Sequence, residues 1–378
     1  MKKRILYLMH VPWGWVKQRP HFIAENLAAY FDVTVCHTEV FLKQLLVNTP
    51  LPPELKLEVL PMLRLAHVEP ISMINRLRLS RLLRKVFERE PYDMVWVSHP
   101  EIYAVMKKWL PPSVPMLCDC MDDCLEFSEV KSNPKKLKWL SGFEREMLDR
   151  ADLIFASSAN LRQALLNRYE LQKQIVVVNN GVQIESAKSE LPMQDALNGL
   201  KQRGLHLVSY IGTVSDWLDT ELLIMALERF PSVAFTIFGP VDSRLPKHER
   251  IISFGPIEHK QVFTVMDASD ALVMPFCVTP LIESVNPVKL YEYIYSGKPT
   301  LAVAYGETEK FSDYVYLYRD QAGFMTLMEM LVNGILPGKR SLESCRSFAL
   351  SNTWESRVQK MLQAIDEVCM HRFSFAEN

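Results

Sequence analysis

The chain has 378 residues, 48% hydrophobic and 23% charged, which excludes disorder for most of its length and predicts two domains or three. Its 43 basic and 44 acidic residues leave a net charge of −1, which gives no footing to a general nucleic-acid binder. The seven cysteines are an odd number placed mostly in apolar runs, the pattern of reduced thiols in a cytoplasmic protein. Cys118, Cys120 and Cys124 cluster, but no second ligand pair has zinc-site spacing, so no metal site is expected.

The first apolar run follows Met1-Lys2-Lys3-Arg4 and imitates a signal peptide. It stops at His10, short of an h-region, and reads as a buried strand over residues 5–10. No apolar stretch approaches the roughly 20 residues of a membrane helix. Residues 19–30 have helical spacing, with Phe22, Ile23, Leu27 and Ala28 on one face and Pro20 in the first turn. Strands follow at 33–36 and 57–60, then a helix over 74–88 with a strongly basic face. A strand at 94–97 ends at His99-Pro100, and one at 116–118 runs into acidic residues. A helix over 136–150, a strand at 153–156, a helix over 159–167 and a strand at 175–178 complete the first half.

Asn179-Asn180-Gly181 is a turn signal, and residues 185–203 are polar without strand character. The alternation then restarts. Strands are expected at 206–211, 233–238, 251–254, 271–274 and 300–303, with helices over 219–228, 259–266, 287–296 and a closing 352–370. This pattern predicts an α/β chain of two doubly wound, Rossmann-like domains, 1–182 and 205–350, joined by a linker over 183–204. Ligands of such sheets lie beyond the carboxyl ends of the strands. That rule singles out Trp13-Gly14-Trp15, His99 and Asp122-Asp123.

The segment from Asn286 to Pro299 carries the strongest chemical signal. Asn286 is expected to cap a helix that starts at Pro287. Lys289 and Glu292 then share one face near its N-terminus, where free N–H groups and the helix dipole attract phosphate. Lys289 adds a cation, and Glu292 can accept hydrogen bonds from two ribose hydroxyls. The bland alternative is a surface Lys–Glu pair on an ordinary helix.

Pro287-x-Lys289-x-x-Glu292-Tyr293 followed by Gly297-x-Pro299 resembles the donor segment of GT-B glycosyltransferases, in particular bacterial members similar to glycosyltransferase family 4. Asn179–Val182, Tyr210–Thr213, Ile237–Gly239, Phe254-Gly255 and Asp270–Pro275 follow in the family's order. Pro12–Trp15 and Gln18–His21 resemble the start of teichuronic-acid and exopolysaccharide-type transferases. The resemblance implies a GT-B fold whose C-terminal domain binds a nucleotide-sugar and whose N-terminal domain binds the acceptor, with reaction in the cleft. A closing helix over 351–378, with Trp354 as a packing residue, is implied to cross back to the first domain.

The implied donor site is Glu292 on the ribose, Lys289 and the N–H groups near Gly212 and Thr213 on the diphosphate, and the backbone of Gly255, Pro256 and Ile257 at the base. Family 4 members usually carry two glutamates separated by seven residues. Here Glu283 and Glu292 are separated by eight, which puts the role of Glu283 in doubt. The basic pair expected after the Gly212 loop is missing, so either Lys289 acts alone or Arg19 supplies a second cation. Asp216 stands there instead, to contact the donor sugar or to cap the next helix. Where relatives carry His-Asp, this chain has Met121 before Asp122 and Asp123, and one of these two is the expected general base. Trp13, Gly14, Trp15, Arg19 and His21 are the expected acceptor contacts.

The implied activity is metal-independent transfer of a sugar, hexosyltransferase-like, to a glycan or lipid-linked glycan in surface polysaccharide synthesis. No cofactor is expected; the co-substrate is a UDP-sugar ahead of a GDP- or dTDP-sugar. The competing readings are an inactive nucleotide-sugar-binding subunit and a sugar-nucleotide epimerase. Family 4 relatives retain configuration whereas a carboxylate base suits inversion, so stereochemistry stays open. Divided after residue 182, the charge is +5 in the first part and −6 in the second. Arg76, Arg78, Arg81, Arg84 and Lys85, with Lys135, Lys136 and Lys138 beside Trp139, suit peripheral contact with an anionic inner membrane. The expectation is a basic acceptor domain turned to the membrane from the cytoplasmic side.

Overall fold

A computed structural model describes residues 2–40, 51–63, 71–184, 190–241 and 245–372. Part of the expected linker (185–189) and the end of the expected closing helix (373–378) lie outside the described residues. Seven strands form the first sheet: β1 Arg4–Met9, β2 Asp32–Val40, β3 Leu55–Met62, β4 Met94–Val97, β5 Met116–Cys120, β6 Leu153–Ala156 and β7 Ile175–Val177. Six form the second: β8 His206–Ile211, β9 Val233–Phe238, β10 Ile251–Gly255, β11 Ala271–Met274, β12 Thr300–Val303 and β13 Tyr316–Tyr318. Their orders are β3-β2-β1-β4-β5-β6-β7 and β10-β9-β8-β11-β12-β13. All neighbours are parallel, so both sheets are doubly wound as expected. Strand order reverses between β1 and β4 and between β8 and β11, and crevices at such switch points are where these sheets bind ligands.

Helices on both faces explain why the central strands read as unbroken apolar runs rather than alternating ones. Ile5 through Met9 are all buried, as are Met94 through Val97. Polar residues set the helix starts. Asn133 Oδ1 accepts from Lys136 N–H at 3.1 Å, and Ser158 Oγ accepts from Leu161 N–H at 2.9 Å. Gly297, at φ +71°, ends the helix Val288–Ser296 in the left-handed conformation that glycine adopts without strain.

The chain forms two compact units, Met1–Asn179 with Trp354–Asn378, and Asn180–Thr353. The helix Trp354–Arg372 belongs to the first. Trp354 stacks on Phe22 at 5.0 Å between ring centroids, and Lys360 Nζ donates to Val177 O at 2.9 Å. In the second unit, the two ends of the segment lie side by side: Val182 N–H donates to Asn352 O at 2.9 Å.

Several elements differ from the sequence expectation. The segment expected as a polar linker carries a helix, Gln194–Gln202, which buries Leu197 in the second core. Residues 259–266 are a short 3-10 turn, His259–Gln261, leading into a helix Val262–Ala268. The helices Pro100–Met106, Gln321–Val332 and Leu342–Leu350 had no sequence counterpart. Gly323 inside the second of these weakens its helical signal.

Candidate active site

The residues expected to bind the donor lie in segments that follow strands of the second sheet. Glu292 sits one turn into the helix Val288–Ser296 and is 2% exposed. Its Oε2 accepts from Lys289 Nζ at 3.0 Å, and its Oε1 lies 3.1 Å from His259 Nε2. Burial pushes the carboxyl up, but the Lys289 charge and the His259 hydrogen bond outweigh it and hold the pKa at about 2. Glu292 is therefore a fixed, ionised acceptor at neutral pH. His259 was not singled out from the sequence. It lies 33 residues from Glu292, and only the turn after β10 brings it there.

Asn286 does not cap this helix. The helix starts one residue later, with Pro287 at the cap position and no side-chain cap bond. Asn286 is buried and bound elsewhere: its Oδ1 accepts from Asn180 N–H at 2.9 Å and its Nδ2 donates to Glu307 Oε2 at 3.0 Å. It ties the start of this domain to the loop after β12.

The Gly212 N–H donates to Phe238 O at 2.9 Å, so it is spent within the sheet rather than offered to a phosphate. Gly239 and Gly212 pack so closely that a Cβ on Gly239, at φ +155°, would meet Gly212 O at 2.0 Å. Only glycine fits there. Thr213 is half-buried, and its carbonyl accepts from Tyr210 Oη at 2.8 Å. Gly255 is left-handed at φ +74°, Pro256 is exposed and Ile257 packs against the core. Asp216 is exposed and does not cap the next helix. That helix, Thr220–Arg229, is capped by Asp219, whose Oδ1 accepts from Leu222 N–H at 2.9 Å. Glu283 is exposed in the short helix Pro280–Ser284, an environment unlike that of buried Glu292.

The N-terminal candidates divide sharply. Arg19 is 2% exposed, and its guanidinium is bound within the first unit. Its Nη2 donates to Asp119 Oδ1 at 2.7 Å, its Nε to both Asp119 oxygens at 3.0–3.1 Å, and its Nη1 to Val178 O at 2.8 Å. His21 is fully buried: Gln18 N–H donates to its Nδ1 at 3.2 Å, and its Nε2–H donates to Pro12 O at 3.1 Å. Burial lowers its pKa to about 4, so it is a neutral strut with both nitrogens used. Trp13 is buried against His21, with 5.2 Å between centroids, and Gly14 is buried. Of this group Trp15 alone is half-buried.

Asp122 and Asp123 follow β5 but differ in kind. Asp123 is 2% exposed, pairs with Arg168 and accepts from Leu125 N–H at 3.3 Å. Arg168 also donates to buried Glu144 at 3.1 Å, and Glu144 accepts from Tyr169 Oη at 2.6 Å. This network anchors the loop. Asp122 is half-buried. Burial raises its pKa, Arg19 lowers it and Asp123 raises it further, leaving it at about 6. His99 caps the helix Pro100–Met106 by accepting from Glu101 N–H at 3.2 Å. Cys118, Cys120 and Cys124 are buried thiols, and the described residues contain no group of three or more potential metal ligands.

The two doubly wound parallel sheets have the GT-B fold. The solved structures agree over nearly the full length of the chain. Sucrose-phosphate synthase from Thermosynechococcus elongatus matches with a TM-score of 0.74 at 14% identity, covering 98% of this chain and 100% of that one. Anabaena Alr3699/HepE in complex with UDP-glucose matches with a TM-score of 0.67 at 16% identity, covering 96% and 99%. Residues 21–186 match the family model of Glycosyltransferase Family 4. The chain is a distant homologue of the putative teichuronic acid biosynthesis glycosyltransferase TuaH of Bacillus subtilis (strain 168), 29% identical over 195 residues. That match covers 48% of each protein, about half the length of the curated relative.

Proposed function

We propose that the protein transfers a hexose from a nucleotide-sugar, a UDP-sugar ahead of a GDP- or dTDP-sugar, to a hydroxyl of a glycan or lipid-linked glycan in surface polysaccharide synthesis. The observation that carries this reading is the buried, ionised Glu292 held between Lys289 and His259 at the start of a helix. A carboxylate so fixed suits the two hydroxyls of a ribose, and the adjacent helix start and Lys289 suit a diphosphate. In transfer, the acceptor oxygen bonds to the anomeric carbon and the bond from that carbon to the diphosphate oxygen breaks. The charge that develops on the leaving diphosphate falls to Lys289 and the helix dipole, which lets the reaction run without a divalent metal. Asp122 takes the acceptor proton.

The test is incubation with UDP-, GDP- and dTDP-sugars in the presence of EDTA, with melting temperature followed in parallel. The expected result is stabilisation by UDP and its sugars, and release of UDP with transferred sugar. An altered sugar on intact nucleotide would make the protein an epimerase. Stabilisation without turnover on any acceptor would make it a binding subunit.

Asp122 is the proposed base rather than Asp123, because Asp123 is committed to Arg168. Only the ionised form of Asp122 accepts a proton, so activity should rise with pH through about 6 and level off above it. Asp122→Asn is expected to lower kcat roughly a hundredfold or more. Asp123→Asn should instead loosen the loop and lower the melting temperature. Loss of the pH limb without loss of rate in Asp122→Asn would exclude the assignment.

The protein is further proposed to act at the cytoplasmic face of an anionic membrane. Among the described residues no helix is long and apolar enough to cross a membrane. The helix Ile71–Arg89 instead exposes Met73, Ile74 and Leu77, the last at 52%, beside exposed Arg78, Arg81, Arg84 and Lys85. Arg76 lies over the Trp139 ring at 5.4 Å, which joins this face to Lys135 and Lys138. Apolar side chains ringed by cations suit a lipid surface. Vesicles rich in phosphatidylglycerol should retain the protein at low salt and release it when Leu77→Asp and Arg81→Glu are combined. Equal retention of wild type and variant would remove the membrane from the proposal.

A further inference from the structure

Two histidines unused by the donor site stand at the switch point of the first sheet. β1 and β4 pair with Leu8 opposite Val97, so His10 and His99, each two residues further on, leave the sheet side by side. Their rings lie 5.1 Å apart between centroids with 31° between planes, and both are half-buried.

The surrounding hydrogen bonds fix where each ring keeps its proton. Ser98 Oγ has one proton, donated to Leu8 O at 3.1 Å, and it accepts from His10 N–H at 3.2 Å. The 2.9 Å contact from His10 Nδ1 to the same Oγ is then made by an Nδ1–H. His10 Nε2 is left with a bare lone pair. His99 is the reverse: its Nδ1 accepts from Glu101 N–H at 3.2 Å, so the neutral ring carries its proton on Nε2. Neither Nε2 has a partner among the described residues. Burial keeps both rings neutral at physiological pH, lowering the pKa of His10 to about 3, with His99 adding to the effect, and that of His99 to about 4, with Lys136 adding.

We propose that His10 and His99 form a paired hydrogen-bond acceptor and donor that binds a neutral sugar hydroxyl of the acceptor substrate. The hydroxyl donates to His10 Nε2 and accepts from His99 Nε2–H. Two bonds of about 2.8 Å to one oxygen span a separation near that of the rings. An anion such as sulfate has no proton for the His10 lone pair, so the pair selects a polyol over a charged group. This assignment rests on the reading of the N-terminal sheet edge as the acceptor side. It replaces Arg19 and His21, whose polar atoms are consumed by the fold.

Asparagine at either position keeps the near contact and deletes the far nitrogen. In His99→Asn the amide oxygen still caps the helix, and in His10→Asn the amide still donates to Ser98. The experiment is nitrogen NMR of protein labelled in its nine histidines, titrated with the methyl glycosides of glucose, galactose and N-acetylglucosamine and separately with sodium sulfate. The expected result is His10 protonated on Nδ1, His99 protonated on Nε2, and both Nε2 signals moved by at least one glycoside but not by sulfate. Either asparagine variant should weaken the response of the remaining ring roughly two- to tenfold, as for one lost hydrogen bond. A reversed tautomer, movement by sulfate, or no movement by any glycoside overturns the proposal. UDP titrated into the same samples reports on His259 beside Glu292, so failure of the donor reading is seen separately.

Discussion

Glu292→Gln is expected to weaken UDP binding roughly ten- to a hundredfold, the cost of losing charged hydrogen bonds to a ligand. The geometry gives this variant an unusual clarity. The amide is nearly the same size, so packing around this 2%-exposed side chain is kept, while the charge that orients Lys289 and His259 is removed. Lys289 is partly exposed and can turn to water, so the domain should still fold. The pH behaviour gives an independent check. The folded carboxyl is depressed from its ordinary 4.5 to about 2, so its stabilisation is complete above about 4.5 and is lost as pH falls through about 2. The shift corresponds to roughly 3 kcal/mol. Melting temperatures of wild type and variant should therefore differ most at neutral pH and converge as pH falls toward 2. A gap independent of pH would mean that the depressed pKa is not a source of stability.

Asp119→Ala is expected to destabilise the N-terminal domain by about 3–5 kcal/mol, because it strands the Arg19 guanidinium in the core without a counter-charge. Asp119 and Arg19 are each 2% exposed, and the pair holds β5, the first helix and the end of β7 together through three bonds to the carboxylate and one to Val178 O. Replacing both partners, Arg19→Met with Asp119→Leu, should cost much less than the single change, since no charge is then left buried. Urea unfolding followed by a probe in this domain measures both. A single-variant loss below about 1 kcal/mol would show that the guanidinium finds water on its own.

These variants also mark the limit of what the sequence disclosed. The strands were legible because a parallel sheet covered on both faces needs residues such as Ile5 through Met9 apolar on every side. The Lys289–Glu292 face was legible because helical spacing alone joins residues three apart. Its third member, His259, depends on a turn from another part of the chain and carries no local signal. Asp216 and Asp219 stand three residues apart, and both are cap-type residues. The choice between them is tertiary: buried Leu218 bridges to Phe276 and fixes where the helix begins. Arg19 and His21 carry the residue types of a binding site. Their pairing with Asp119 and Pro12 O becomes visible only when the strands are assembled. His10 and His99 were separated by the same distance in sequence that the β1–β4 pairing removes.

The terminal helix has a consequence for how the molecule is made. Trp354 stacks on Phe22, yet the whole of the second domain is translated between them. A ribosome that has delivered the seven strands of the first domain has not yet delivered the surface that covers Phe22. The nascent domain must wait, with that aromatic face uncovered, for about 175 further residues to be synthesised, on the order of ten seconds or more at usual elongation rates. Vectorial synthesis therefore favours folding the second domain before the first is complete. Chaperone dependence should be set by this waiting period and should fall when the terminal helix is relocated, by circular permutation, to precede β1.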